Sequence, residues 1–218
     1  MKKGVLVAFS EVGLRSKPVR RKLIKLLSRN IERGLKWLDF ELEGVIPTWE
    51  RILVFTDEGE MVAELLKDVP GVRFAAPVYY FEGPDFEVLV EEAIEELVRE
   101  VSGKRFKVET KRRDKDLPFR SMDVSALVGK LILERSENSK VDLSNPEVVV
   151  HLEVGRKYSL LYLKRYEGMG GFPVGSQSPM VSLLSGGTDS AVASWLVLHR
   201  GVMLYPLFIN PSPFTGCC

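Results

Sequence analysis

Cysteine is all but missing from this chain of 218 residues: the two present, Cys217 and Cys218, are adjacent at its end. Neighbouring residues sit too close for an ordinary bridge, which excludes a disulfide framework. Histidine is as scarce. His151 and His199 stand apart with no partners at metal-ligand spacing, and structural or surface roles are expected of both. No apolar run is long enough to cross a bilayer, and Val5–Phe9 behind Met1-Lys2-Lys3 is too short for a signal peptide. A soluble, cytoplasmic protein without a membrane partner is expected. An excess of one charge is lacking too. The formal net charge is +1, which argues against a uniformly basic nucleic-acid binder but leaves local patches open. What remains is a globular composition, 45% hydrophobic and 28% charged, of a length that suits one large domain or two small ones.

The chain is organised around Met180-Val-Ser-Leu-Leu-Ser-Gly-Gly-Thr-Asp-Ser190. Val181, Leu183 and Leu184 read as a short buried strand. Ser185 to Ser190 break it, and a helix-forming segment from Ala191 follows at once. A strand, a glycine turn and a helix N-terminus make an anion site, because unpaired backbone N–H groups and the positive end of the helix dipole converge. Gly186 and Gly187 permit positive φ and close approach of a ligand. Ser185, Thr188 and Ser190 add hydroxyl donors. The lysine and spacing of a Walker A loop are absent, and so is the Gly-x-Gly-x-x-Gly of a dinucleotide turn. The bland alternative is a glycine turn joining a strand to an amphipathic helix. Ser-Gly-Gly-x-Asp-Ser after an apolar strand resembles the PP-loop of the ATP pyrophosphatases, which split ATP into AMP and pyrophosphate.

Upstream, Val5–Phe9 reads as a strand. Ser16 as N-cap and Pro18 in the first turn open a helix running to about Leu38. Its apolar face carries Val19, Leu23, Leu26, Leu27, Ile31, Leu35 and Leu38; its other face is basic, with Arg20, Arg21 and Lys25 prominent. Strands at Phe40–Val45 and Arg51–Phe55, with a turn at Pro47, a helix at Glu60–Lys67, and a strand at Val72–Phe81 interrupted by Pro77 complete β-α-β-β-α-β, the ferredoxin-like order. A second unit begins with an amphipathic helix over Asp85–Val101, its inner side Phe86, Leu89, Val90, Ala93, Ile94 and Leu97. It continues with a strand at Arg105–Thr110, a charged loop to Arg120 and a helix from Ser121 to about Arg135. A turn at Val141–Pro146 and a hairpin of Glu147–Val154 with Lys157–Lys164 follow. Between Ser102 and Met122, Lys104, Arg105, Lys107, Lys111, Arg112, Arg113, Lys115 and Arg120 outnumber the acids. That is a basic patch on a neutral chain, and its alternative is a solvated surface. Trp37, Trp49 and Trp195 lie in apolar patterns and are expected in the core.

Lys107-Val-Glu-Thr-Lys-Arg112, Ser121, Val128-Gly129 and Val141-Asp-Leu-Ser-Asn-Pro-Glu147 resemble a THUMP domain, an RNA-binding module of tRNA-modifying enzymes. Glu11-Val-Gly-Leu-Arg-Ser-Lys-Pro-Val-Arg20 and Gly168-Met-Gly-Gly-Phe-Pro-Val-Gly175 are similar to the tRNA 4-thiouridine synthetase, or tRNA sulfurtransferase, family. The resemblance implies an α/β chain with α+β N-terminal domains: a ferredoxin-like domain at 1–82, a THUMP domain at 83–166, a linker at 167–179, and the first βαβ unit of a PP-loop domain at 180–218. Residues 180–218 allow only one such unit, so that domain reads as incomplete, whether by truncation, as a fragment or awaiting a partner chain. The uncovered apolar unit makes a homodimer one expected assembly.

The resemblance further implies ATP bound by Leu184, Ser185, Gly186, Gly187, Thr188, Asp189 and Ser190. Asp189 is the catalytic candidate, holding Mg²⁺ or orienting the reacting groups; a carboxylate that merely complements the helix dipole is its alternative. The implied reaction adenylates O4 of a tRNA uridine, and sulfur from a persulfide carrier protein then displaces AMP. Arg20, Arg21, Lys25, Lys111, Arg112, Arg113 and Arg120 are the candidate RNA contacts. A tRNA-binding protein without catalysis, and another PP-loop enzyme acting on a small molecule, are the competing functions. For Cys217 and Cys218 a sulfur-relay role lacks any visible activating group.

Overall fold

Serine, proline and apolar residues spaced by three and four produce the longest helix, α1, over Lys17–Trp37. Ser16 occupies the N-cap without a side-chain hydrogen bond, and Ile24, Leu27, Ile31 and Leu35 are buried. The computed structural model describes residues 2–209; the Asn210–Cys218 tail, with both cysteines, lies outside the described residues. Its contacts fall into two units. One comprises Leu6–Thr56, Glu60–Ala75 and residues 166–209; the other comprises residues 2–5, Asp57–Gly59 and Ala76–Arg165.

The first unit is built from α1, β1 (Lys2–Phe9), β2 (Gly44–Pro47), β3 (Ile52–Phe55), α2 (Gly59–Leu66) and β4 (Val72–Glu82), of which β1, α2 and β4 also lend residues to the other unit. The strand order β2-β3-β1-β4 is the ferredoxin-like one that the element order predicts. Two local expectations change. The strand expected at Phe40–Val45 is displaced to Gly44–Pro47, because Asp39 at φ 61 closes α1 and the Phe40 amide donates back to the Leu35 carbonyl. Aspartate tolerates that left-handed step better than most residues. The turn then falls at Thr48–Arg51 rather than at Pro47. Pro77 does not interrupt β4, since its fixed φ suits extended backbone and only one ladder donor is lost.

The second unit is built from α3 (Phe86–Val101), β5 (Arg105–Arg112), α4 (Ser121–Arg135), β6 (Lys140–Val141), β7 (Val148–Val154) and β8 (Tyr158–Tyr162). β5 runs parallel to β7, pairing Phe106 with Val148 through Arg112 with Val154, while β7 and β8 form the expected antiparallel hairpin. β8 pairs with the second half of β4, giving the order β4-β8-β7-β5-β6. The six inward residues foreseen on α3 are all buried, against Val128 and Ile132 of α4 and Phe106, Val150 and Leu152 of the sheet. Asp142 accepts the amides of Ser144 and Asn145 at 2.9 Å each, which holds its carboxyl below the usual range and makes the expected turn.

His151 is structural, as expected. It stacks on Tyr162 at 4.7 Å, with Nδ1 3.4 Å from Glu109 Oε2. Burial pushes its pKa below 6.5, aided by Arg165 and Lys107 and opposed by Glu109 and Glu153. The folded state therefore favours the neutral ring, and the unfolded chain takes up the proton first as pH falls. The His151 contribution is complete above pH 6.5 and declines as pH drops through the lower folded value. His151→Gln is expected to flatten the pH dependence of the urea midpoint in that window; an unchanged slope would refute the assignment.

The tryptophans correct the sequence reading. Trp37 is 82% exposed, and Trp49 and Trp195 are each about half exposed. Trp37 ends a helix behind the cation Arg33, Trp49 lies in the Thr48–Arg51 turn beneath Arg20, and Trp195 stands on a helix with no buried residue, so hydrophobicity alone misplaced them.

Candidate functional site

Tyr166–Glu167 adds a short strand, β9, antiparallel to the first half of β4. Beyond it the glycine-rich connection is bonded along its length. Gly168 donates to the Arg73 carbonyl at 2.7 Å, Met169 to Lys67 at 3.0 Å, and Gly170 to Val72 at 2.8 Å. Gly170, Gly171 and Gly175 have φ of 73, 78 and 86°, where glycine is strongly preferred. Phe172 donates to the His199 carbonyl at 3.0 Å and lies under the Arg15 guanidinium, while Asn30 Nδ2 donates to the Val174 carbonyl at 2.9 Å. This network delivers the chain to β10 (Gln177–Leu184), which runs parallel to β11 (Val202–Phe208), Leu184 opposite Phe208. Parallel strands need a crossover, and α5 (Thr188–His199) supplies it.

The candidate loop lies between β10 and α5. Gly187 is the N-cap of α5 and has no side chain with which to satisfy the first-turn amides, so these remain offered to a ligand. Its φ is −87°, and neither Gly186 nor Gly187 adopts positive φ, which corrects the expectation from sequence. What the pair contributes is the absence of side chains beside the amides. The hydroxyls organise the turn. Ser190 Oγ accepts the Ser185 amide at 3.2 Å and lies 3.2 Å from Ser185 Oγ, which accepts the Gly187 amide at 3.3 Å. Ser194 Oγ donates to the Ser190 carbonyl at 2.7 Å and touches Ser182 Oγ at 2.6 Å, tying α5 to β10. Ser185, Gly186, Gly187, Thr188 and Asp189 are exposed; Leu184 and Ser190 are half-buried. Thus all seven candidates share one open turn, with the Asp189 carboxylate in the first turn of the helix.

The strand that carries the loop is not buried as expected. Val181 and Leu183 are 63% and 64% exposed, and α5 has no buried residue. Two strands with one helix across them cannot enclose their own apolar side chains.

The cationic candidates differ in exposure. In the first unit, Arg20 donates from Nη2 to the Trp49 carbonyl at 2.6 Å with its guanidinium 4.3 Å above the Trp49 ring, whereas Arg21 and Lys25 are exposed. In the second unit, Arg112 Nη1 donates to the carbonyls of Leu117 and Phe119, at 3.2 and 2.6 Å, and so braces the charged loop. Arg113 is ion-paired to the buried Glu153 carboxylate. Lys111, the last residue but one of β5, and Arg120, at the N-cap of α4, are exposed. Sequence reasoning counted charges and could not see that three of the seven brace the fold.

It also missed the polar node behind the loop. His199 Nε2 lies 2.8 Å from the Met169 carbonyl; a carbonyl only accepts, so that nitrogen carries the proton. The ring stacks on Trp195. Burial raises the pKa of nearby Glu11, but the Ser10 hydroxyl, the Glu11 amide, the charge of His199 and the Gly171 amide together outweigh it and set the carboxyl below its usual value. The visible signal was the Gly170-Gly171 doublet.

The chain thus combines a ferredoxin-like sheet, a THUMP-like α/β unit and a serine-glycine loop at a helix N-terminus. Known families tile it: the ThiI ferredoxin-like domain matches residues 4–75, the THUMP domain 82–164, and the family described as thiamine biosynthesis protein (ThiI) 175–217. The chain is 38% identical over 211 residues to a tRNA sulfurtransferase of Escherichia coli O1:K1 / APEC, a match covering 95% of this chain and 43% of the relative. Among solved structures it is similar to PH1313 from Pyrococcus horikoshii Ot3, with 28% identity, a TM-score of 0.86, and coverage of 97% of this chain and 69% of that one. It is also similar to a 4-thiouridine synthetase crystallised with RNA and bound ATP, with 31% identity, a TM-score of 0.81, and coverage of 98% and 54%. The resemblance is therefore to the tRNA sulfurtransferase family, along nearly the whole chain. The chain spans less than half the length of the curated relative it matches. Among the described residues, no helix is long and apolar enough to cross a membrane.

Proposed function

We propose that the protein acts in tRNA sulfurtransfer, binding ATP and tRNA so that a uridine is adenylated on O4 and then converted to 4-thiouridine. One observation carries this reading: the Leu184–Ser190 turn sits at the N-terminus of α5 with its first-turn amides uncapped, in a chain similar along 95% of its length to a tRNA sulfurtransferase. The proposed domains are 1–82, 83–166, a linker at 167–179, and 180–218, in a cytoplasmic protein. In this reading the amides beside Gly186 and Gly187 face the pyrophosphate oxygens, with the hydroxyls of Ser185, Thr188 and Ser190 completing the cradle. Asp189 offers one carboxylate to Mg²⁺. Among the described residues no three acidic, histidine or cysteine side chains gather as a metal cage. A single carboxylate still fits, since Mg²⁺ commonly takes one or two, with phosphate and water oxygens filling the rest. O4 displaces pyrophosphate from the α-phosphate; the terminal sulfur of a carrier persulfide then bonds to C4 as AMP leaves, and a second thiol cleaves the S–S bond, giving a disulfide and 4-thiouridine. Folded tRNA is held by the exposed Arg21, Lys25, Lys111 and Arg120, alongside Arg20, Arg112 and Arg113.

Calorimetry with ATP·Mg²⁺ and with unmodified tRNA tests the reading. Both are expected to bind. Binding of tRNA alone would favour the non-catalytic alternative, and binding of ATP alone another PP-loop enzyme. With α-labelled ATP, AMP release is expected to require tRNA and to fall at least about 100-fold in Asp189→Asn, the scale of losing one preorganised charge contact. AMP release that ignores tRNA, or survives the substitution, would overturn it.

A further inference from the structure

Trp37, the last residue of α1, leaves 82% of its surface in solvent. So large an apolar ring held outward is unusual enough to ask what covers it. Counting back by three and four residues reaches Arg33, Arg29, Lys25 and Lys22, so the indole ends a row of four cations on one helix face. The row is about 22 Å long at about 1.5 Å per residue. All four cations are exposed, and among the described residues none of them is in an ion pair. Glu32, the sole acid of α1, is held by Lys36 at 2.7 Å.

We propose that this row is a track for single-stranded RNA: phosphates follow Lys22 to Arg33, and an unpaired base stacks on the Trp37 indole. The inference rests on the tRNA-binding reading and adds to it the kind of nucleotide engaged. Cations aligned with an exposed aromatic ring are the two parts of a strand-binding groove, because every base has a π-face and every linkage a charge. A duplex supplies the phosphates but hides its base faces. An acidic protein would satisfy the cations, yet one ring offers far less area than a stable protein interface needs. Trp49 is no alternative platform, since Arg20 already covers its face.

The test compares, on the full chain by fluorescence anisotropy, an RNA hairpin carrying a short unpaired tail with the same hairpin made blunt. Wild type is expected to prefer the tailed RNA by between about 5- and 150-fold, the range for one stacked base. Trp37→Ala abolishes that preference while leaving blunt-hairpin affinity and the salt slope unchanged; Trp37→Phe, which keeps a ring, retains most of it. Arg29→Ala with Arg33→Ala weakens both RNAs and reduces the salt slope by about 2. If Trp37→Ala weakens both RNAs equally, or neither, the track is wrong while the tRNA-binding reading stands. If it changes only self-association by sedimentation, the ring is a protein contact and the proposal is overturned. If wild type binds neither RNA, the tRNA-binding reading itself fails.

Discussion

Arg113→Ala is expected to lower folding stability by about 3–5 kcal/mol, the cost of removing one partner from a buried ion pair. The Glu153 side chain is 5% exposed and that of Arg113 16%, so water cannot replace the lost guanidinium. Two of its nitrogens reach Glu153 Oε2, and the Tyr162 hydroxyl, 3.4 Å from Oε1, is too weak a substitute. The large cost belongs to breaking the pair, not to its net worth. Arg113→Leu combined with Glu153→Leu removes both charges and is expected to recover most of the loss in urea denaturation. The pair also separates structure from RNA binding. A folded Leu–Leu variant with wild-type affinity for tRNA makes Arg113 a brace for the neighbouring loop; weakened affinity in that folded variant returns it to the RNA surface. Single alanine substitution cannot distinguish these, because unfolding also abolishes binding.

Legibility followed the physics of each signal. Period-3.6 patterning and the end residues Ser16, Pro18 and Ser102 made the bounds of α1 and α3 readable, and the inward face of α3. On α1 the buried Ile24 was not foreseen, while Val19 and Leu38 are 44% and 48% exposed. The position of β2 was not readable, because it depends on the left-handed step at Asp39, a single backbone choice without a pattern. The Ser185–Ser190 loop was visible as a string, and its place at a helix start followed from the apolar run before it. Its glycines nevertheless misled: the doublet suggested positive φ there, whereas on either side of it Gly170, Gly171, Gly175 and Gly201 adopt it and the doublet does not. Charge counts found cationic regions but not their partners. Arg20 and Arg113 spend donors on a carbonyl and a carboxylate 29 and 40 residues away, and Arg112 on carbonyls of the loop that follows it, none of which composition encodes.

Gly171→Ala is expected to cost about 1–2 kcal/mol in backbone strain and a further amount of about 1–3 kcal/mol in overpacking. A Cβ at this position would lie 2.3 Å from the His199 carbonyl oxygen and 2.7 Å from its Nε2. Gly103 separates the two costs: its φ of 73° is nearly the same as the 78° of Gly171, yet no atom lies within 4 Å of its would-be Cβ. Gly103→Ala should therefore carry the strain alone, and the difference in urea midpoints between the two variants isolates the clash. His199→Ala added to Gly171→Ala should give little relief, because the nearer obstacle is backbone. The clash falls on the last turn of α5, whose first turn bears Thr188, Asp189 and Ser190. Displacing one end of a single crossover helix shifts the other, so ATP·Mg²⁺ affinity should fall in Gly171→Ala even below the temperature at which it unfolds, and hold in Gly103→Ala. Equal stability in the two alanine variants would mean that the glycine-rich connection is a loose tether, and that the loop is positioned by β10 and β11 alone.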